Sequence, residues 1–228
     1  MDKGIAVVIG ANGGVGSQLV AALEGAGYSH VLGLSRTSTP ALDLTNEASI
    51  AEAAAYAATL GEVRLVIVAT GFLHNAEFSP EKSLKQLDPA HMALSFALNA
   101  IGPALALKHF LPLCPREGRF VFAALSARVG SIGDNHLGGW HSYRAAKSAL
   151  NQYVRTAAIE IGRTRKEAIV AALHPGTVNT KLSSPFVKNG LDVREPDVAA
   201  ADVLRVIAGL TPEDNGGFFD HKGERIAW

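Results

Sequence analysis

The feature that most constrains this chain is a short apolar strand that runs directly into a glycine-rich turn and a helix. Residues 4–9, GIAVVI, form a continuous apolar run, which is typical of a parallel strand buried on both faces. Glycines follow at once, and residues 17–27 then predict a helix of good helix formers that ends near its last glycines. This is the first half of a βαβ unit, so we expect a parallel α/β sheet.

The glycine-rich turn predicts a site for a dinucleotide. A helix N-terminus presents free backbone N–H groups and the positive end of its dipole to a phosphate. Glycines permit the tight turn and let a pyrophosphate approach the backbone closely. The residues expected to bind it are Gly10, Asn12, Gly13, Gly14, Val15 and Gly16.

The rest of the chain continues the alternation of strands and helices. Further strands are predicted at 30–36, 64–70, 119–127, 168–174 and 216–220, and helices at 46–59, 87–114, around 141–152 and at 195–208. Residues 181–194 show no clear periodicity and predict a loop that covers the substrate. The pattern predicts one domain over residues 1–228, a Rossmann-type doubly wound parallel sheet with helices on both faces.

Charge and cysteine content exclude several kinds of partner. Basic and acidic residues both number 21, so no net field recruits nucleic acid or an anionic membrane. Cys114 is the only cysteine, which excludes an internal disulfide framework and fits a reducing compartment. The apolar run at the start is too short for a signal peptide or a membrane span. We expect a soluble cytoplasmic protein without a metal site.

The end of the second strand bears on the choice of coenzyme. Ser35 and Arg36 lie about 20 residues beyond the glycines, where an NAD-binding fold places an acidic residue. An arginine instead suits the 2′-phosphate of NADP. We therefore favour NADP(H), with NAD(H) possible, over the alternative that Arg36 is a solvated surface residue.

The stretch HSYRAAKSALNQ at 141–152 places a phenol and an amine on one side of a predicted helix. Tyr143 and Lys147 are four residues apart, which is one helical turn. A buried cation near the phenol lowers its pKa, so that the tyrosine can exchange a proton near neutral pH. The alternative is a half-buried tyrosine with a solvated lysine one turn away.

The long apolar helix predicted at 87–114 carries an internal irregularity. Pro103 has no N–H group and cannot donate to the carbonyl of Asn99, four residues earlier. A buried carbonyl without a partner is unfavourable, so we expect a water or a ligand at Asn99. The alternative is a proline kink beside a surface asparagine.

With these motifs placed, the chain resembles the short-chain dehydrogenase/reductase family over nearly its full length. Gly10, Gly14 and Gly16 match that family's T-G-x-x-x-G-x-G, with Ile9 in place of the threonine. The resemblance implies that Asp43 and Leu44 hold the adenine. It implies further coenzyme contacts from Ala69, Thr70, Gly71, Asn99, Tyr143, Lys147, Pro175, Gly176, Val178 and Thr180. Ala69-Thr70-Gly71 stands where the family usually has N-A-G.

The catalytic serine of the family has no direct match. The family's spacing to the tyrosine lands on Ala127, and the nearest hydroxyls are those of Ser126 and Ser131. Ser126 is the preferred candidate and Ser131 its rival. The resemblance thus implies Asn99, Ser126, Tyr143 and Lys147 as catalytic residues.

Within the family, three stretches look closest to the C-factor and sniffer-like carbonyl reductases. They are S-A-R-V-G-S-I from Ser126, G-G-W before Tyr143, and the F-F-D-x-x-G-E-x-x-x-W ending. The resemblance implies NADPH-dependent reduction of a small-molecule ketone or aldehyde by a homodimer or homotetramer. The alternative is a nucleotide-binding signalling or scaffold protein with vestigial catalysis.

Overall fold

The computed structural model describes residues 3–186 and 192–228, and its centre is a six-stranded parallel sheet. The sheet contains β1 (Ile5–Ile9), β2 (His30–Leu34), β3 (Val63–Val68), β4 (Phe120–Leu125), β5 (Ala168–His174) and β8 (Phe218–Asp220), whereas β6 (Thr177–Val178) and β7 (Val193–Arg194) form a separate pair. The order across the sheet is β2-β1-β3-β4-β5-β8, and each neighbouring pair is parallel. The predicted fold class is confirmed.

Helices cover both faces of this sheet. They are α1 (Gly14–Leu23), α2 (Glu47–Leu60), α3 (Pro89–Phe96), α4 (Gly102–Phe110), α5 (His141–Gly162) and α6 (Pro196–Gly209). The buried side chains of α2, α4 and α5 form one core with alternate strand residues, and those of α1 and α6 form the second core with the others. Burial on both faces explains why the strands read as continuous apolar runs.

The strand order places a crevice at the carboxyl end of β1. This strand lies between β2 and β3. The chain goes from β1 to β2 on one side and then crosses to β3 on the other side. Ligands of open α/β sheets bind at such a switch point, outside the carboxyl ends of the strands. The turns that follow β1, β3, β4 and β5 all meet at this edge.

The predicted helix at 87–114 is interrupted in the structure. α3 passes into a π-helical turn at Ala97–Ile101, which contains Asn99, and α4 follows with Pro103 in its first turn. A proline breaks the regular hydrogen-bond ladder, and the widened turn accommodates the break. The irregularity expected from Pro103 is therefore present, as a π-helical turn within a continuous helical run.

That run, Pro89–Leu113, is the one helix in the described part of the chain that is long and apolar enough to cross a membrane. Its buried side chains include Ala106, Leu107 and Phe110, which pack in the core with α5. Core packing therefore accounts for part of the apolar composition.

The segment predicted as an irregular cover, 181–194, is described only in part. A short 3₁₀ turn forms at Ser184–Phe186, and β7 pairs with β6 in a separate two-stranded sheet. Residues 187–191 lie outside the described residues.

Candidate active site

A cleft of about 1620 Å³ lies along the carboxyl edge of the sheet. It brings together most of the site residues predicted from the sequence. Those that line it are Gly10, Asn12, Gly13, Gly14, Val15, Ser35, Arg36, Asp43, Leu44, Ala69, Thr70, Gly71, Ser126, Tyr143, Lys147, Pro175, Gly176, Val178 and Thr180. Gly16 and Asn99 are not part of its described lining.

The glycine turn is packed too tightly for side chains at two positions. A Cβ on Gly16 would overlap the carbonyl oxygen of Gly10, and a Cβ on Gly14 would lie 2.7 Å from Cγ2 of Thr180. Gly10 itself has a φ of 94°, which disfavours other residues. Gly13 at the N-cap has no side chain to cap α1, so the first N–H groups of the helix are suited to an anionic group.

The turn after β2 is held beside the glycine turn. Asn12 donates from Nδ2 to Oγ1 of Thr37 at 2.7 Å, and the Ser35 amide donates to Oγ of Ser38 at 2.8 Å. Arg36, in the same turn, is exposed and makes no ion pair with any described residue. Its guanidinium is available to an anion in the cleft.

Asp43 is fixed as an ionised carboxylate on the same side of the cleft. Its Oδ1 accepts from the Thr45 amide at 2.8 Å and from the Thr45 hydroxyl at 2.7 Å. These two hydrogen bonds lower the pKa of Asp43. The buried Leu44 next to it supplies an apolar wall.

The hydroxyl of Thr70 is a buried polar group at the cleft. Its Oγ1 is buried, and no described residue offers it a hydrogen bond. A buried hydroxyl without a partner is unfavourable by about 1–3 kcal/mol. Together with the glycine turn, which has room for backbone contact only, this orphaned hydroxyl fits a bound nucleotide.

Asn99 is fully buried, so the alternative of a surface asparagine is wrong. Its Nδ2 donates to the Phe72 carbonyl at 2.7 Å, and its Oδ1 accepts from the Phe72 amide at 2.9 Å. This side chain therefore fastens the π-helical turn to the loop after β3. The water that the sequence predicts at its carbonyl stays a prediction.

Tyr143 and Lys147 lie together in the first two turns of α5. Tyr143 is 9% exposed and Lys147 only 2%, which excludes the alternative of a solvated lysine. The lysine Nζ lies 5.8 Å from the centre of the tyrosine ring and donates to the Leu125 carbonyl at 3.0 Å.

Burial controls the acidity of both groups. It raises the pKa of Tyr143 above its ordinary value and lowers the pKa of Lys147 to about 8. The expected lowering of the phenol's pKa is therefore wrong, because desolvation of the buried phenol raises it. Tyr143 is a protonated acid at neutral pH.

The two candidate serines differ in what they contact. Ser126 lines the cleft, but its hydroxyl donates to Oδ1 of Asn151 at 2.6 Å. Ser131 is outside the described lining, and its Oγ accepts from the Asp134 amide at 3.1 Å. Ala127 lines the cleft beside Ser126. Ser126 remains the better candidate, although it must turn from Asn151 to donate to a ligand, since a hydroxyl has one proton.

The turn after β5 closes the other end of the cleft. Gly176 adopts a φ of 84°, and the chain then forms β6 and reaches Thr180, whose amide donates to Oγ of Ser183 at 3.3 Å. Thr180 packs against Gly14 at the start of α1. The first and the last coenzyme motifs of the chain thus touch each other in the cleft.

The loop at 128–140, which the sequence indicates as a wall of the pocket, places Trp140 above Tyr143, in a row of aromatic rings that the sequence does not predict. The Trp140 ring meets Tyr143 edge-on at 6.3 Å and Phe186 at 5.6 Å, and His74 continues the row with Phe186 at 5.2 Å. Trp140 has a φ of 52°, directly before α5. The glycine pair before Trp140 was the available signal for this unusual turn.

A parallel sheet of this order, with a glycine turn and a buried tyrosine–lysine pair at one edge, defines a dinucleotide-dependent oxidoreductase fold. Residues 2–214 match the family model described as enoyl-(acyl carrier protein) reductase. The chain belongs to the short-chain dehydrogenase/reductase family and is an enzyme of that class, as the sequence resemblance predicted.

Two curated relatives illustrate the match. The chain is 36% identical over 147 residues to the C-signal of Myxococcus xanthus, and the aligned region covers 64% of this chain and 84% of that protein. It is 31% identical over 192 residues to 1-hydroxy-2-glutathionyl-2-methyl-3-butene dehydrogenase of Rhodococcus sp. (strain AD45), which covers 84% of this chain and 80% of that protein.

Solved structures share the fold. The NADPH-bound carbonyl reductase from chicken fatty liver has a TM-score of 0.85 at 24% identity, with 100% of this chain and 99% of that chain covered. The carbonyl reductase Sniffer of D. melanogaster has a TM-score of 0.83 at 21% identity, with 100% of both chains covered.

Proposed function

We propose that this oxidoreductase uses NADPH to reduce a ketone or an aldehyde to an alcohol, with Tyr143 as the proton donor. The observation that carries the proposal is the buried Tyr143–Lys147 pair, which lines the same cleft as the glycine turn. The structural relatives with bound NADPH and NADP and the exposed Arg36 support the choice of coenzyme.

The residues at the cleft fit distinct parts of such a coenzyme. The first turn of α1 is suited to the pyrophosphate, Ser35 and Arg36 to the 2′-phosphate, and Asp43 with Leu44 to the adenine. The turn from Pro175 through Val178 to Thr180 is assigned to the nicotinamide carboxamide. When bound, the coenzyme supplies the hydride.

The proton comes from this chain. Tyr143 donates a hydrogen bond to the substrate carbonyl oxygen and gives up its proton as that oxygen becomes a hydroxyl. The ammonium of Lys147 then stabilises the phenolate, because an opposite charge in a buried site favours the ionised form. Ser126 supports the carbonyl oxygen, and Asn99 anchors the water that returns the proton.

The pH dependence follows from the acidity of Lys147. Tyr143 stays protonated well above neutral pH, whereas Lys147 has a pKa of about 8. We expect kcat/KM for carbonyl reduction to be level below this pH and to fall above it, since kcat/KM reports the free enzyme. The affinity for NADPH is measured over the same range as a control. A profile that stays level to about pH 10, near the reference value for lysine, would contradict the role of Lys147.

Arg36 provides the test of coenzyme choice. A hydrogen bond from a charged group contributes about 1.5–3 kcal/mol, so Arg36→Ala should weaken NADPH binding about 10- to 100-fold. NADH lacks the 2′-phosphate, and its affinity should be unchanged. Titration of both coenzymes measures this, with the exposed Arg116→Ala as the matched control. Equal losses for the two coenzymes, or none, would refute the assignment.

The reaction is tested with a panel of aldehydes and ketones by following NADPH absorbance. A second candidate function is a nucleotide-binding signalling or scaffold protein with weak catalysis. It is favoured by Ala127 at the family's serine position and by the contact of Ser126 with Asn151. Tight NADPH binding without oxidation on any carbonyl would support this second function.

We further propose that residues 1–228 act as one domain, in a cytoplasmic homodimer or homotetramer, on a small-molecule carbonyl. Exposed apolar side chains on the α3–α4 run and on α5, among them Met92, Ile101, Tyr153 and Ile159, support self-association.

A further inference from the structure

A buried carboxylate outside the cleft lies against the start of the catalytic helix. Glu81, in the loop between β3 and α3, is 1% exposed. Its Oε2 accepts from the Ser142 amide at 3.2 Å, and its Oε1 accepts from the Ser142 hydroxyl. Ser142 is the second residue of α5 and the neighbour of Tyr143. A carboxylate at this point also satisfies the helix dipole.

A further contact of the Glu81 carboxylate comes from α3. His91 Nδ1 lies 3.3 Å from Oε1 and is itself 4% exposed. The His91 ring stacks on Phe78 at 5.0 Å and meets Phe72 edge-on at 6.2 Å. Burial alone would raise the pKa of Glu81, but the hydrogen bonds from Ser142 and from its own backbone, together with the nearby His91, leave the pKa lowered. Glu81 therefore joins three elements as an ionised group.

The backbone of Glu81 holds the turn that precedes the helix. Its carbonyl accepts from the Trp140 amide at 2.5 Å. Gly138, Gly139 and Trp140 have φ values of 62°, 67° and 52°, so three successive residues are left-handed. The conformation of Trp140 is unfavourable by about 1–3 kcal/mol and persists only where neighbouring contacts enforce it. Glu81 supplies such contacts to the Trp140 amide and to Ser142, two residues further along the chain.

We propose that Glu81 is a positioning residue, which with Ser142 and His91 forms a clamp that fixes Trp140 and Tyr143 in the cleft. Glu81 is not part of the described cleft lining, so it acts through the residues that it holds. The effect on turnover rests on the proposed carbonyl reduction, whereas the effect on the placement of Trp140 does not. A displacement of about 1 Å in a catalytic group reduces the rate about 100-fold.

The first experiment observes the clamp without any reaction. The chain has two tryptophans, and Trp228→Phe keeps the stacking on Phe218 while leaving Trp140 as the only reporter. In this background we expect Glu81→Ala to shift Trp140 emission to longer wavelength and to increase its quenching by acrylamide. Glu81→Gln should be intermediate, because the amide keeps the size and still accepts from the Ser142 amide. Glu52→Ala, at an exposed position of α2, is the control and should change nothing.

The second experiment measures catalysis on the same variants. Glu81→Ala should lower kcat about 10- to 100-fold with the Kd for NADPH unchanged, because the clamp does not touch the glycine turn. Glu81→Gln should recover part of the loss. Thermal melts show which variants are folded, and Ser142→Ala provides a milder release of the clamp where Glu81→Ala does not fold.

The outcomes separate the clamp from the reaction. Unchanged Trp140 quenching in folded Glu81→Ala and Ser142→Ala would overturn the proposal, as would a loss of kcat matched by an equal weakening of NADPH binding. If the parent enzyme reduces no carbonyl in the panel, the proposed reaction fails, and the fluorescence comparison alone decides on the clamp.

Discussion

Tyr143→Phe should reduce turnover by a factor of about 10²–10⁴, the range contributed by a positioned general acid. The substitution removes only the hydroxyl, because phenylalanine keeps the ring and its edge-on contact with Trp140. Burial holds the pKa of Tyr143 above its ordinary value, so the wild-type group is a full proton donor at neutral pH. The affinity for NADPH should change by less than about twofold, a free-energy difference well below one hydrogen bond.

The control lies on the same helix. Tyr153→Phe removes a hydroxyl from a side chain of α5 that is 46% exposed, and it should leave turnover unchanged. NADPH oxidation with an active carbonyl measures kcat, and coenzyme titration measures binding. Wild-type turnover by Tyr143→Phe would remove the basis of the proposed mechanism. Loss of NADPH binding in that variant would instead assign Tyr143 to the coenzyme.

Lys147→Met should abolish the same activity and stabilise the fold. A buried lysine whose pKa falls from 10.5 to about 8 destabilises the folded state by about 3 kcal/mol at neutral pH. Methionine matches the apolar part of the side chain and removes the charge, at the loss of the hydrogen bond from the ammonium to the Leu125 carbonyl, about 1.5–3 kcal/mol. The net gain in unfolding free energy at pH 7 should be about 1 kcal/mol.

The sign of the pH dependence checks this explanation. The folded-state pKa of Lys147 lies below the unfolded one, so the penalty is full below pH 8 and decreases as the pH rises toward 10.5. The unfolding free energies of wild type and variant, measured with urea, should therefore differ most near pH 7 and least near pH 10.5. Lys85→Met, at an exposed position, is the control. A variant less stable than wild type at pH 7 would contradict this explanation, because the interactions of the ammonium would then exceed the free energy of its desolvation.

The sequence predicts the fold well because the relevant signals are local. Continuous apolar runs predict strands buried on both faces, as the structure shows for β1 and β4. Tyr143 and Lys147 meet because a helix relates residues four apart. In each case the deciding interaction lies within a few neighbouring residues.

What the sequence does not predict depends on contacts across the fold. The role of Glu81 has no local sequence signal, because its partner Ser142 lies 61 residues away. The direction of the Ser126 hydroxyl is set by Asn151 on a different element. The acidity of Tyr143 follows from how deeply α5 is buried, which no spacing reveals.

The contact between Gly14 and Thr180 has a consequence for changing this enzyme. A methyl group at position 14 has no space while the threonine methyl lies 2.7 Å from its place. A larger residue at position 14 therefore requires a smaller or displaced side chain at position 180, far away in the chain. Re-engineering of the phosphate turn therefore starts from a smaller residue at position 180, which contacts that turn directly.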